Sequence, residues 1–106
     1  MMYRQGDVLL ERVDLGLAPD AHPVPKDAGR AVLAYGEATG HAHAFHAPHV
    51  EQFETPSRER FVVIRGRKPA ALLHEEHAPI TVPPGLYRVR RQREWTDADE
   101  PRVVAD

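Results

Sequence analysis

Turn-forming residues divide this chain into many short segments. Ten prolines and seven glycines are spread over 106 residues, and the apolar runs between them are short. Most of these runs alternate or are rich in β-branched residues, whereas few show the 3.6-residue period of an amphipathic helix. Short strands at near-regular spacing are typical of a small antiparallel β-sandwich or barrel. We therefore predict an all-β fold.

The length of the chain favours one domain, because two separate cores would each bury too little apolar surface. We assign residues 1–106 to a single β domain, in which residues 14–30 are a Pro- and Gly-rich loop and residues 97–106 an acidic tail. The last predicted strand is the longest, with one face that begins apolar and one that is largely polar. The predicted strands are residues 8–13, 31–38, 41–46, 49–54, 61–64, 70–74, 80–82 and 86–95.

The composition excludes several classes of protein. With no cysteine, the chain has no disulfide framework, no thiolate metal site and no cysteine nucleophile. Its only serine, Ser57, lies in a predicted turn, so we do not expect a serine hydrolase. The first residues show no basic segment followed by a long apolar run, so we expect no signal peptide, no membrane anchor and a cytoplasmic location.

Histidine is the one strong excess, at seven residues, and it is clustered. In the motif Gly40-His41-Ala42-His43, a strand would place both histidines on one face, about 7 Å apart along the backbone. Two imidazoles at this spacing can converge on one divalent transition metal, such as Zn, Fe, Ni or Mn. The alternative is a pair of ordinary polar residues on a solvated strand face.

A second cluster, His74-Glu75-Glu76-His77, follows a predicted strand. A continuous strand would place its two histidines on opposite faces, so both can serve one ion only if the segment turns. Either glutamate could be a ligand or a catalytic general base beside a bound water. The alternative is a solvated turn whose histidines pair with the local glutamates.

Together the two clusters predict one shared metal site with His41, His43, His74 and His77 as ligands and with Glu75 and Glu76 as the catalytic candidates. We give the other three histidines smaller roles. His46 could face a substrate or support the ligands, His49 is expected in solvent, and His22 is left without a role.

The motifs also resemble those of a known family. It consists of small bacterial and phage proteins that are uncharacterised, so the resemblance implies no activity. It covers nearly the whole chain outside the Pro-rich loop. The motifs that carry it are Arg4-Gln5-Gly6-Asp7-Val8-Leu9-Leu10, Gly36-Glu37-Ala38-Thr39-Gly40-His41-Ala42-His43, His74-Glu75-Glu76-His77 and the segment from Tyr87 to Trp95.

The chain has a looser similarity to cupins, which are small β-barrels. It rests on a glycine, Gly36, that precedes the His41-Ala42-His43 motif. The similarity implies a β-barrel with a histidine-based site.

We therefore expect a metal-binding protein with a small-molecule ligand, and whether it is an enzyme and whether it forms a homo-oligomer are left open. The alternative is a non-catalytic interaction module whose arginine-rich last strand contacts an anionic partner such as nucleic acid, or the chain's own acidic tail. The net charge of −2 and the aromatic content of 7% argue against nucleic acid, since single-strand binding uses aromatic residues among basic ones.

Overall fold

The computed structural model describes residues 1–36 and 40–92, and the regular elements in these two ranges are all β-strands. Short apolar and alternating runs form most of them, as the sequence predicts. The strands are β1 (Met2–Gln5), β2 (Val8–Arg12), β3 (His22–Pro23), β4 (Ala31–Tyr35), β5 (Ala42–Phe45), β6 (Val50–Glu54), β7 (Arg60–Ile64), β8 (Ala70–Leu73), β9 (Ile80–Val82) and β10 (Gly85–Arg91).

These strands form two antiparallel sheets. One has six strands in the order β1-β2-β10-β7-β6-β3, and the other has four in the order β4-β5-β8-β9. Every strand pair in both sheets is antiparallel. The predicted all-β class is confirmed, and of the two predicted architectures the arrangement is that of a small sandwich.

Apolar side chains from both sheets form one core. The six-stranded sheet contributes residues such as Val62 and Tyr87, and the four-stranded sheet contributes Phe45 and Leu72. All four are fully buried. The hydroxyl of Tyr87 donates to the carbonyl of Pro83 at 2.7 Å, so its one polar atom is satisfied at the edge of the core.

Two strands were missed by the sequence prediction. The first, β1, pairs with β2 through the two-residue turn Gly6-Asp7, with Gln5 opposite Val8. Its four residues, of which Met2 and Arg4 are exposed and Gln5 is buried, lack the apolar alternation that marks a strand, and the pairing with β2 defines it instead.

The second missed strand lies inside residues 14–30, which were predicted to be a loop without regular elements. That prediction is wrong at β3, where His22 pairs with Glu54 and Pro23 with Phe53. This strand lies at the edge of its sheet, where a proline is tolerated because no neighbour needs its missing N–H.

Three predictions from the sequence fall outside the described residues. They concern the end of the segment 31–38, the end of the segment 86–95 and the acidic tail at 97–106. Within residues 1–36 and 40–92, we find no helix of the length and hydrophobicity that crossing a membrane requires.

The core predicts how much a small truncation costs. We expect Ile64→Val to lower the free energy of unfolding by about 1 kcal/mol, because it removes one methylene from a tightly packed interior. Ile64 is 2% exposed, whereas Leu15 is 78% exposed. Leu15→Ala should therefore change stability by less than about 0.5 kcal/mol. Urea denaturation of the two variants measures both values, and equal effects would contradict this description of the core.

Candidate metal centre

The four histidines of the predicted site lie together. Strand β5 pairs with β8 so that Ala44 is opposite Leu73, and this places His43 beside His74, the residue that follows β8. The ring centroid of His74 is 4.3 Å from that of His43, 5.4 Å from that of His41 and 4.6 Å from that of His77. The two histidine clusters of the sequence therefore meet at one end of the four-stranded sheet.

The segment after β8 turns, as a shared site requires. Nδ1 of His74 accepts hydrogen bonds from the backbone N–H groups of Glu76, at 3.0 Å, and of His77, at 3.2 Å. These two bonds fold the chain back, and the His77 ring then stacks on that of His43 at a centroid distance of 5.7 Å.

Two overlapping groups of side chains could hold a metal ion. The buried group is His43, His74 and His77, and the more exposed group is His41, His74 and Glu75. Within each group the ligand atoms lie within 4.8 Å of one another. The nitrogens of a tetrahedral zinc site are about 3.4 Å apart, so modest side-chain rotation would close either group around an ion.

Gln5 determines which nitrogen of His43 carries the hydrogen. Its Nε2 donates to two backbone carbonyls, those of Leu72 at 2.8 Å and Ala78 at 3.0 Å. The Oε1 atom is thereby oriented as the acceptor for Nδ1 of His43, at 2.9 Å. Since Nδ1 donates this bond, Nε2 of the neutral ring has a free lone pair, which is the form that binds a metal.

A buried carboxylate faces that lone pair. Asp7 is fully buried, and its Oδ1 lies 3.5 Å from Nε2 of His43. Its Oδ2 accepts two hydrogen bonds from the guanidinium of Arg91, at 3.0 and 2.8 Å. Arg91 therefore fixes the carboxylate with Oδ1 directed toward the histidine.

The ring of His43 is neutral at physiological pH. Burial and, after it, the nearby His74 lower the pKa of this ring to about 4, against the smaller opposing effect of Asp7. The contact with Asp7 is therefore no ion pair at pH 7. Among the described residues, Oδ1 of Asp7 and Nε2 of His43 have no hydrogen-bond partner, so two electron-rich atoms face each other with no hydrogen between them.

Gly6 makes room for His77. A Cβ on Gly6 would lie 2.7 Å from Nε2 of His77 and 3.1 Å from two carbons of the ring. Gly6 also has a φ of 58°, which glycine adopts without the strain of other residues. Both its conformation and its lack of a side chain are therefore used at this position.

The two glutamates have different surroundings. Oε1 of Glu75 accepts a hydrogen bond from the backbone N–H of Ala42 at 2.9 Å, and this bond lowers the pKa of its carboxyl. The side chain of Glu76 is 65% exposed, and its Oε1 lies 3.7 Å from Nδ1 of His41. Glu75 therefore ties the turn to β5, while Glu76 extends into solvent above the cluster.

The other three histidines lie elsewhere. His46 is exposed just after β5, and His22 is exposed on β3. Nε2 of His49 lies 3.0 Å from the carbonyl oxygen of Lys68. None of them belongs to either group of ligand candidates in the described chain.

Gln5, Gly6 and Asp7 were not predicted as site residues. They precede the first predicted strand, and the structure places Gln5 at the end of β1 and Gly6-Asp7 in the hairpin turn before β2. Their motif was noted only for the family resemblance, and nothing local in it indicates contacts with residues more than thirty positions away, such as that of Gln5 with His43.

Fold and site together define a small β-sandwich with a cluster of histidines at one end, in which His43 is buried and the others are partly exposed. A family model described as "Domain of unknown function (DUF8820)" matches residues 4–92, and the chain belongs to this family. The matched range includes the whole histidine cluster together with Gln5, Gly6 and Asp7. Neither the curated proteins nor the solved structures gave a match.

The contact between Gly6 and His77 gives a prediction with a matched control. Gly6 and Gly66 both have positive φ, 58° and 76°, but a Cβ on Gly66 would meet nothing within 4 Å. Gly66→Ala should cost about 1 kcal/mol from backbone strain alone. Gly6→Ala should cost that and roughly 1 to 3 kcal/mol more, because His77 must also move. Urea denaturation of the two variants compares them, and equal losses would show that His77 does not pack on Gly6.

Proposed function

We propose that this protein binds a divalent transition metal at His43, His74 and His77, with the carboxylate of Asp7 beside the ion. One observation carries the proposal. Nε2 of His43 and Oδ1 of Asp7 lie 3.5 Å apart in a buried position, and each presents a lone pair to the other. A cation at this position would satisfy both atoms.

The energetics favour an occupant. Leaving a buried acceptor without a partner costs about 1 to 3 kcal/mol, and more for a charged one. A proton on His43 would satisfy both atoms, but the pKa of about 4 for this ring leaves it unprotonated at pH 7. Two ligands of one tetrahedral zinc ion are about 3.3 Å apart, close to the observed separation. A bridging water is the competing occupant, and metal analysis distinguishes the two.

The three histidines differ in how readily their ring nitrogens can bind a metal. His43 has its tautomer fixed by Gln5, and Nε2 of His77 has no hydrogen-bond partner among the described residues. His74, in contrast, uses Nδ1 to accept the two N–H groups of its turn, which leaves the hydrogen of the neutral ring on Nε2. Binding a metal through His74 would therefore disrupt these hydrogen bonds, so we expect His43 and His77 to contribute more to affinity.

The donor set suits Zn, Fe, Ni or Mn. Imidazole nitrogens bind zinc, iron and nickel, and a carboxylate oxygen extends the range to manganese. Among Mn, Fe and Ni the affinity for such a site should rise in that order.

The same arrangement supports metal-dependent chemistry on a small-molecule ligand. Where His74 keeps the hydrogen bonds of its turn, His43, His77 and Asp7 are three protein ligands and leave a coordination position for water, whose pKa a bound metal lowers. Of the two candidate bases, Glu76 is the better placed, because it is exposed beside His41. Glu75 is held by Ala42 and has a lowered pKa, which makes it a weaker proton acceptor.

Metal binding is tested by replacing one histidine at a time. We expect stoichiometric Zn or Ni in the purified protein and an affinity that falls at least about 100-fold in His43→Ala and in His77→Ala, since each removes a ligand. His74→Ala should lose less, and His49→Ala, a histidine outside the cluster, should bind as the wild type does. Competition with a chromophoric chelator measures these affinities. Metal-free protein that no added ion stabilises against heat would contradict the proposal and leave water as the occupant.

The role of Asp7 has its own test. Asp7→Asn keeps the shape of the side chain but removes the charge, and we expect metal affinity to fall about 10- to 100-fold, the range seen when groups that support metal ligands are replaced. The melting temperature of the metal-free variant, measured in parallel, reports the separate loss of the contact with Arg91. An unchanged metal affinity would remove Asp7 from the proposed site.

A further inference from the structure

A second cleft lies apart from the histidines and is rich in arginine. It has a volume of about 660 Å³, within the range of about 300 to 1,000 Å³ that small-molecule sites occupy. Ten of the described residues line it, of which half are arginines and one, Glu59, is acidic. The arginines are Arg58, Arg60, Arg88, Arg90 and Arg91.

The sheet topology creates this cleft. Strand β7 begins at Arg60, which pairs with Val89 of β10. The last residues of β10, Arg90 and Arg91, extend past the start of β7 and pair only with β2. Because successive side chains point to opposite faces, arginines from both faces of β10 reach the notch beside the start of β7. The end of β4 forms the other wall.

Most of these arginines are in weak ion pairs. The separations are 3.4 to 3.9 Å, and every partner is at least partly exposed. Such surface pairs contribute about 0.2 to 1 kcal/mol each, so a multiply charged anion could displace them at little cost. The pairs are Arg60 with Glu54, Arg88 with Glu59 and Arg90 with Glu11.

Arg91 and Arg88 differ from the other arginines in their hydrogen bonding. Arg91 is engaged by the buried carboxylate of Asp7 through two hydrogen bonds, so it forms a fixed part of the wall. Nε of Arg88 is shielded from solvent and has no hydrogen-bond partner among the described residues. That donor is therefore available to an acceptor that enters the cleft.

Arg58 occupies a strained position at the rim of the cleft. Its φ is 72°, a conformation that favours glycine and costs other residues about 1 kcal/mol or more. The loop holds it there, because its N–H donates to the carbonyl of Thr55 at 2.8 Å and the N–H of Glu59 donates to Oγ1 of Thr55 at 3.1 Å. Because glycine would be less strained at this position, the presence of arginine indicates that its long cationic side chain has a function there.

An aromatic ring completes the cleft. Tyr35 is 54% exposed and lines the wall formed by β4. Its hydroxyl donates to Oδ2 of Asp27 at 2.6 Å, which restrains the ring. An exposed, restrained ring beside guanidinium groups offers a surface for the planar or apolar part of a ligand.

From these features we propose that the cleft binds a small organic anion that carries at least two neighbouring phosphate or carboxylate groups. Guanidinium groups bind both of these bidentately, and several of them in one cleft match more than one anionic group. Tyr35 is the single aromatic residue among the described lining residues, which favours a small molecule over a nucleic acid strand, since the strand would use successive aromatic residues. The proposal does not depend on the metal site.

The test uses inorganic pyrophosphate as the probe for paired anionic groups. In calorimetry at low ionic strength, we expect saturable binding at one site, and the double variant Arg60→Gln, Arg88→Gln should weaken it at least tenfold. The matched control is Arg65→Gln, Arg67→Gln, which removes two arginines outside the cleft, on the loop between β7 and β8. The control should change affinity less than twofold, and melting curves confirm that both double variants are folded.

Arg58→Gly separates binding from folding. The variant should melt about 3 °C higher, because it relieves the positive φ, yet bind pyrophosphate at least threefold more weakly. A higher melting temperature with unchanged binding would remove Arg58 from the proposed site.

Three outcomes would overturn the proposal as a whole. One is no saturable binding of pyrophosphate at concentrations up to about 5 mM, roughly five times a Kd of 1 mM. Another is an equal loss of affinity in the control double variant. The last is a single-stranded 12-mer oligonucleotide that binds more tightly than pyrophosphate and is not displaced by it, which would identify the surface as a nucleic acid site.

Discussion

The buried carboxylate of Asp7 is the interaction on which this end of the molecule depends. Removing a carboxylate from water costs several kcal/mol unless it is well paired, and Asp7 is fully buried. Arg91 satisfies one oxygen with two hydrogen bonds, and the other oxygen faces His43. Because His43 belongs to the four-stranded sheet and Arg91 to the six-stranded one, this carboxylate lies where the two sheets meet.

Gln5, two residues before Asp7, also connects the two sheets. It lies at the end of β1, yet its side chain contacts the backbone after and within β8 and the ring of His43 on β5. A buried amide with three good partners specifies one arrangement of its surroundings, since any shift leaves a polar atom unsatisfied. The histidine ring is thus oriented by a residue of the opposite sheet, which leaves its Nε2 facing Asp7.

The sequence predicted the parts of this site that depend on local pattern. Apolar runs identified most strands, and the structure has the turn after β8 without which His74 and His77 could not serve one ion. Asp7 and Gln5 escaped prediction because a glycine and an aspartate between two strands also describe an ordinary exposed hairpin turn. Their burial follows from how the two sheets approach each other, and that depends on contacts far apart in the chain.

The arginines of β10 likewise divide into those whose position the strand pattern predicted and one whose position depends on a distant contact. The alternation of the strand predicted one polar face, and Arg88 and Arg90 lie there. Arg91 lies on the same face of the strand as the buried Tyr87, where a charged residue is rarely found unless it is paired. That partner is Asp7, and the alternation of residues along β10 carries no information about a residue in the turn between β1 and β2.

The turn Gly6-Asp7 has a consequence for how chains of this architecture can vary. Hairpin loops at a protein surface usually accept inserted residues, because few contacts depend on their length. Here Gly6 must leave open the space that the His77 ring fills, and Asp7 must place its carboxylate between Arg91 and His43. One added residue would displace both contacts at once, so this two-residue loop cannot lengthen, whereas the long segment between β2 and β4 can accept added residues.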